Sequence, residues 1–356
     1  MPSDLETLIR EVLTEQAERA PHRTAVLAGM RWGTRRPYRR LAMVAAGVAV
    51  VLAAIGIPVG LHLTSHPQQP AIPPSPVLAA RPADIPIPYR VTWVPAGYVA
   101  SMRAGSPPTV PTGMLLQYWE PRGDDRATTD PSSSSPYIDF RYSRLASNAG
   151  LGQAQGAQDV SVNGATGKLT HDTSSRANDG KALDKAYLWW EPSTGIALSV
   201  TVVNVPDPID VAIRVARSVV SGGVGIPQAL TFGDLPANYY VDYLQIDGTS
   251  PTDFTVTRIA LEHGSGLSHY TATWSTSEPS LTHQTAVTVR GKPGWFGQLP
   301  LEPTEWGVAV KLDAGHWLAV WSQPPDGSPV ATPAAVVPIA NGMSIYPDGS
   351  LDWLGH

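Results

Sequence analysis

The 356-residue chain contains no cysteine, which excludes disulfides, thiolate metal sites and cysteine catalysis. Small secreted eukaryotic domains usually carry disulfides, so a bacterial extracytoplasmic setting fits the absence better. Charge is sparse as well: Asp, Glu, Lys and Arg make up 15% of the residues, against 32 glycines and 35 prolines. That balance favours strands and turns over long soluble helices. Phenylalanine is scarce, at four residues against 11 tryptophans, so tryptophan must supply much of the aromatic packing.

Catalytic signatures are missing too. No Gly-x-Ser-x-Gly elbow occurs; HGSGLS at 263–268 comes nearest, with the wrong spacing, and reads as a hairpin loop. No His-Glu-x-x-His zinc helix occurs, and His263 and His269, which can meet across that hairpin, lack a metal-ligand spacing and have no cysteine to complete a site. Asp124-Asp125 lies in a polar loop beside TTDPSSSS and reads as a solvated turn. VSVNGATGKLT at 160–170 suggests a phosphate loop, but the Walker pattern needs glycine where Val162 stands and Ser or Thr where Leu169 stands. No cofactor is implied, and the chain is read as a non-enzyme.

One segment that is present sets the topology. LAMVAAGVAVVLAAIGIPVGLHL, residues 41–63, holds no Asp, Glu, Lys or Arg. As a helix at ~1.5 Å per residue it runs roughly 35 Å, enough to cross a bilayer. Arg31, Arg35, Arg36, Arg39 and Arg40 precede it, and no cationic residue follows until Arg81. The positive-inside rule then places the N-terminus in the cytoplasm and the larger C-terminal part outside. Residues 1–40 carry eight arginines against five acids; the remainder carries 17 basic residues against 25 acidic. The acidic outer part argues against nucleic-acid binding.

On the cytoplasmic side of the anchor, SDLETLIREVLTEQAERAP opens with a Ser3–Glu6 capping box. Leu5, Leu8, Ile9, Val12 and Leu13 then fall on one helical face. A lone helix of this length is marginal in water, so that face wants a partner, read here as a cytosolic regulatory protein. Residues 64–88 hold eight prolines without any helical or strand period and read as a semi-rigid extracytoplasmic linker.

Beyond the linker the chain repeats itself in order. VPAGY at 94–98 is echoed by LPANY at 235–239, and VSVNGATGKL at 160–169 by VTVRGKPGWF at 287–296. LWWEPSTGIALSVTV at 188–202 is echoed by VAVKLDAGHWLAVWS at 308–322, and GGVG at 222–225 marks a joint. Each copy reads as an antiparallel sheet closed by one helix. Asp207 and Thr332 stand at cap positions and Pro208 and Pro333 in first turns, with Ile209, Ala212, Ile213, Ala216 and Val220 turned to the sheet. Pro338 predicts a short or kinked second helix. The expected fold class is therefore α+β: one N-terminal transmembrane helix, then two tandem sheet-plus-helix domains at 89–222 and 226–356. Asn163-Gly164 is a hairpin signal in its own right.

Ten of the 11 tryptophans lie beyond the anchor. Most should fill sheet–helix interfaces, while Trp189, Trp190, Trp295 and Trp317 are candidates to line a groove for an envelope glycan, lipid or protein. Trp189 and Trp190 are adjacent in a strand, so they must face opposite ways.

The short cytosolic helix, the run RWGTRRPYRR, the single anchor and the Pro-rich linker resemble actinobacterial single-pass proteins related to anti-sigma factors. VPAGY, VSVNGATG, YLWWEPSTGIALSV and IDVAIRVARSV are similar to a bacterial domain of unknown function found at the C-termini of anti-sigma factors and sporulation lipoproteins. The chain lacks the His-x-x-x-Cys-x-x-Cys helix of the zinc-binding anti-sigma type. The resemblance implies a membrane-anchored envelope sensor or regulator, linked to a sigma factor. The alternative is a passive envelope-binding module that its N-terminus merely anchors.

Overall fold

The computed structural model describes residues 81–356 apart from 111–112, 124–133, 145–155, 178–179, 224, 264–267, 301, 314, 325–329 and 348–350. The amphipathic segment with Leu5, Leu8, Ile9, Val12 and Leu13, the apolar run 41–63 and residues 64–80 lie outside the described residues. Among the described residues no helix is long and apolar enough to cross a membrane.

The first half of the described chain runs β1 (Tyr89–Val91), β2 (Tyr98–Gly105), β3 (Met114–Pro121), β4 (Tyr137–Ser143), β5 (Gln158–Val162), β6 (Ala165–Asp172), β7 (Lys185–Ser193), β8 (Ile196–Val203), α1 (Pro208–Arg217) and β9 (Val219–Ser221). The second runs β10 (Leu230–Thr231), β11 (Tyr239–Ser250), β12 (Asp253–Glu262), β13 (His269–Ser275), β14 (Thr282–Val289), β15 (Lys292–Leu299), β16 (Glu302–Lys311), β17 (Trp317–Gln323), α2 (Pro333–Gly342) and β18 (Ser344–Ile345). Fourteen of these strands form one sheet in the order β14-β15-β16-β17-β13-β12-β11-β2-β3-β4-β8-β7-β6-β5, with β1–β9 and β10–β18 as two small ribbons.

This corrects the expected α+β fold with two tandem domains. The described chain is mostly β, its two helices are ten residues each, and one antiparallel sheet runs through both halves. The seam is the β11–β2 pairing, from Leu244 opposite Gly105 to Asp247 opposite Met102. The physical cause is the nature of those strands. Both carry buried side chains on both faces, so leaving either as a free edge would expose unpaired backbone polar groups in an apolar setting. Pairing the two removes both edges at once. Counted outward from the seam, the halves nonetheless have the same strand order: β2, β3, β4, β8, β7, β6, β5 against β11, β12, β13, β17, β16, β15, β14. The three pairs of echoing segments fall on matching strands and turns.

Local chemistry explains the hairpins. Asn163 and Gly164 both take positive φ (48° and 88°), as do Arg290 and Gly291 (54° and 72°). Two such residues make the turn whose twist matches flanking antiparallel strands. The apparent phosphate loop is thus a β-turn, and Lys168 pairs with Asp159 on the next strand. The GGVG joint serves close approach. A β-carbon on Gly225 would come within 2.6 Å of the Asp84 Cβ, where the last linker residues cross through the Ile85–Ile226 bridge. Ile85 and Ile87, assigned to the linker from sequence, are buried in the body.

Both helices pack on one face of the sheet, α1 on β5, β7 and β8 and α2 on β14, β16 and β17. Ala212, Val215 and Ala216 of α1 join Leu188, Trp190, Leu198 and Val200 in the main core. The expected face shifts, because α1 ends at Arg217 and Val220 sits instead in β9, 41% exposed. Asp207 adopts left-handed geometry (φ 52°) and makes no side-chain cap bond; Thr332 makes none either. Pro338 does not shorten α2 relative to α1.

Candidate functional site

The sheet alternation gives every strand residue one of two faces. The helix-bearing face carries the main apolar core. The other face is more polar, with Asp139, Thr201, Gln245, Asp247, Thr257, Thr271 and Glu305 among its buried residues.

The four candidate tryptophans do not form one groove. Trp190 points into the main core and is 2% exposed. Trp189, half-buried on β7, faces the helix-free side. Trp295 and Trp317 share that side, but β17 and β7 stand eight strand spacings apart, roughly 38 Å along the sheet. The sequence could show that Trp189 and Trp190 diverge; it could not show how far apart the strands end up.

Trp295 and Trp317 lie on one face of the same half, two strands apart. Trp295 of β15 lies opposite Ala309 of β16, which lies opposite Ala319 of β17, two residues from Trp317. Ala309 and Ala319 are buried with Trp321 of β17, and Lys311 sits 5.8 Å from the Trp317 ring. Trp295 itself is 44% exposed. On its outer flank stands exposed Ala286 of β14, the strand at the end of the sheet order. The result is a tryptophan platform with a cation on the same face, beside β14, which pairs with one strand only among the described residues.

A second cluster occupies the same face in the other half. Arg141 of β4 donates from Nε and Nη2 to both carboxylate oxygens of Asp139, at 3.2 and 3.1 Å. Asp139 is fully buried, whereas the Arg141 side chain stays 44% exposed. The Asp139 carboxylate raises the Arg141 pKa further above its ordinary value. Tyr118 stacks on Tyr137 at 5.3 Å between centroids, and burial pushes the Tyr118, Tyr187 and Tyr243 hydroxyls up. These phenols therefore stay protonated at neutral pH, and both oxygens of Asp139 are engaged. The cluster offers hydrogen-bond donors and flat rings for recognition. Sequence reading missed it, although IDFRYS places Asp139 and Arg141 at i and i+2, the spacing of same-face neighbours on a strand.

The two histidines weighed for metal binding take different partners. His263 lies 4.6 Å from the Tyr240 ring, and His269 Nε2 lies 3.5 Å from Glu305 Oε1. Among the described residues no group of three or more His, Cys, Asp or Glu side chains is placed to hold a metal.

No protein-family model matches the chain, and no curated protein does. Among solved structures, a crystal structure of MucB in complex with MucA(peri) aligns at 10% identity and a TM-score of 0.20, over 69% of this chain and 93% of that one. A Pseudomonas aeruginosa MucA/MucB complex aligns at 9% identity and 0.20, over 70% and 93%. The apo immunity protein TplEi of the P. aeruginosa T6SS aligns at 13% identity and 0.24, over 74% and 97%. Superpositions this loose fix neither a shared site nor a shared ligand.

Proposed function

We propose that the chain is a non-enzymatic, membrane-anchored binding protein of a bacterial envelope. In this reading residues 41–63 anchor it, residues 81–356 face outward and bind an envelope component, and the Leu5–Leu13 face docks a cytosolic regulator, linked to a sigma factor. The two halves are duplicated copies that share one sheet. The observation that carries the binding role is Trp295, 44% exposed on β15, on the same face as the Lys311–Trp317 pair of β16 and β17. A large aromatic fixed in this way offers contact area at little entropic cost, the usual make-up of an interaction hot spot.

The test places a photo-crosslinking amino acid at position 295 of the full chain in cells. A defined envelope adduct, lost when Trp317→Ala is added, is expected; absence of any adduct overturns the assignment of the platform. The signalling half is read separately, by capture of a specific cytosolic protein through residues 1–40 that Leu8→Asp abolishes. Failure there, with the crosslink intact, leaves the passive envelope-binding module as the function.

A further inference from the structure

We infer that the centre of the helix-bearing face holds a site for a small oxyanion, a carboxylate or a phosphate, built on Arg258 and Arg103. Helices α1 and α2 cover only the outer strands of each half. Above the central strands the cover is irregular chain: the linker end with Ile85 and Ile87, the stretch from Ile226 to Leu230, and the C-terminal residues with Leu351 and Leu354.

Arg258 of β12 lies under that cover with 4% of its surface exposed. Its Nη2 donates to Gln228 Oε1 at 3.0 Å, while Nε and Nη1 are buried without a partner. Gln228 is held in place from its other end, its Nε2 donating to the Ala83 carbonyl at 2.6 Å. A guanidinium is never deprotonated at ordinary pH and presents its donors as a fixed fork. Two buried charged N–H groups left open are costly, because neither water nor protein replaces their lost hydration, so an acceptor belongs there.

Arg103 of β2 faces the same side. Arg258 is opposite Leu244 of β11, and Arg103 is opposite Ile246 of the same strand. The two arginines thus flank β11, about 12 Å apart at Cα by sheet geometry. The Arg103 guanidinium lies 4.3 Å from the Trp353 ring centroid, and the Trp353 Nε1 is also buried and unpartnered. Burial alone lowers both arginines to about 10, with no carboxylate acting on either. Two cations on one apolar face, with no carboxylate acting on either, favour an anion between them.

The experiment uses the full chain in a neutral detergent, titrated with inorganic phosphate and with acetate against chloride at constant ionic strength. Thermal midpoint and tryptophan fluorescence are followed, the latter reporting Trp353 beside Arg103. One oxyanion should raise the midpoint saturably while chloride does not, and which of the two does so identifies the ligand chemistry. Arg258→Lys keeps the charge without the fork and should weaken the response about tenfold, as should Arg103→Gln. Arg258→Met should abolish the response and be no less stable than the parent in anion-free buffer. A parent chain indifferent to both oxyanions overturns the inference. So does an Arg258→Lys or Arg103→Gln variant that responds like the parent.

Discussion

Asp247 shows how much a single buried group can set. It lies on β11 at the seam, 1% exposed, with Gln245 Nε2 donating to its Oδ1 at 2.9 Å. Burial, opposed by that hydrogen bond and helped by Asp253, raises its pKa from 3.8 to about 6. The folded state therefore keeps a proton that the unfolded chain has already released. Stability is fully present below about pH 4, falls as pH rises toward 6, and stays lower above it, by roughly 3 kcal/mol. Asp247→Asn keeps an acceptor for Gln245 and removes the titration. The variant should show a flat midpoint between pH 4 and 7 and exceed the parent at pH 7, as followed by thermal unfolding across that range. A variant that keeps the parent's slope would assign the pH dependence to another group. Nothing in the sequence around Asp247 announces this role, since the reading YVDYLQIDG shows alternation but not what covers it.

At the scale of elements, the two ends of the sheet order are treated differently. On β5 the Ser161 carbonyl accepts Arg217 Nε and Nη2 from α1 at 3.2 Å, and Asp159 pairs with Lys168. On β14, THQTAVTV contains no Asp, Glu, Lys or Arg, and most of the strand is exposed. Val289 and Lys292 flank a two-residue turn, so the backbones of Thr288 and Ala286 point away from β15. An edge of this kind, uncovered by any strand among the described residues, templates further strands. Thr288→Lys should slow concentration-dependent aggregation of the full chain, read by light scattering during a warm hold, with the unfolding midpoint little changed. Equal scattering from parent and variant would clear β14 of the blame. The hairpin itself was legible beforehand, because Asn163-Gly164 and Arg290-Gly291 carry their turn chemistry locally. The helix ends were not: α1 stops early because Val219–Ser221 pair with Tyr89–Val91, a partner far away in sequence.

For the whole molecule, the seam has a thermodynamic consequence. Two independent domains would melt in two steps. Here residues 81–356 cluster as one compact unit, and further bonds cross the seam: Ala100 N–H to the His356 carbonyl at 3.0 Å, and Gly355 N–H to the Ala100 carbonyl at 2.9 Å. Calorimetry of the full chain should give one sheet transition, with calorimetric and van't Hoff enthalpies in agreement. Two resolved peaks would mean that the halves unfold separately after all.

The sequence by itself determined what depends on neighbours in the chain: alternation that makes strands, the turns between them, the parallel wording of the two halves, and the divergence of Trp189 from Trp190. Only the tertiary structure decided which edges meet, which face each aromatic occupies, that Arg141 closes on Asp139 beneath tyrosines, and that Arg258 is left with open donors. The reason is that strand pairing and burial are set by contacts between residues far apart, chosen by how completely every edge and apolar face can be covered at once. A pattern of period two fixes that a strand has two faces. It leaves open what stands on the other side of either one.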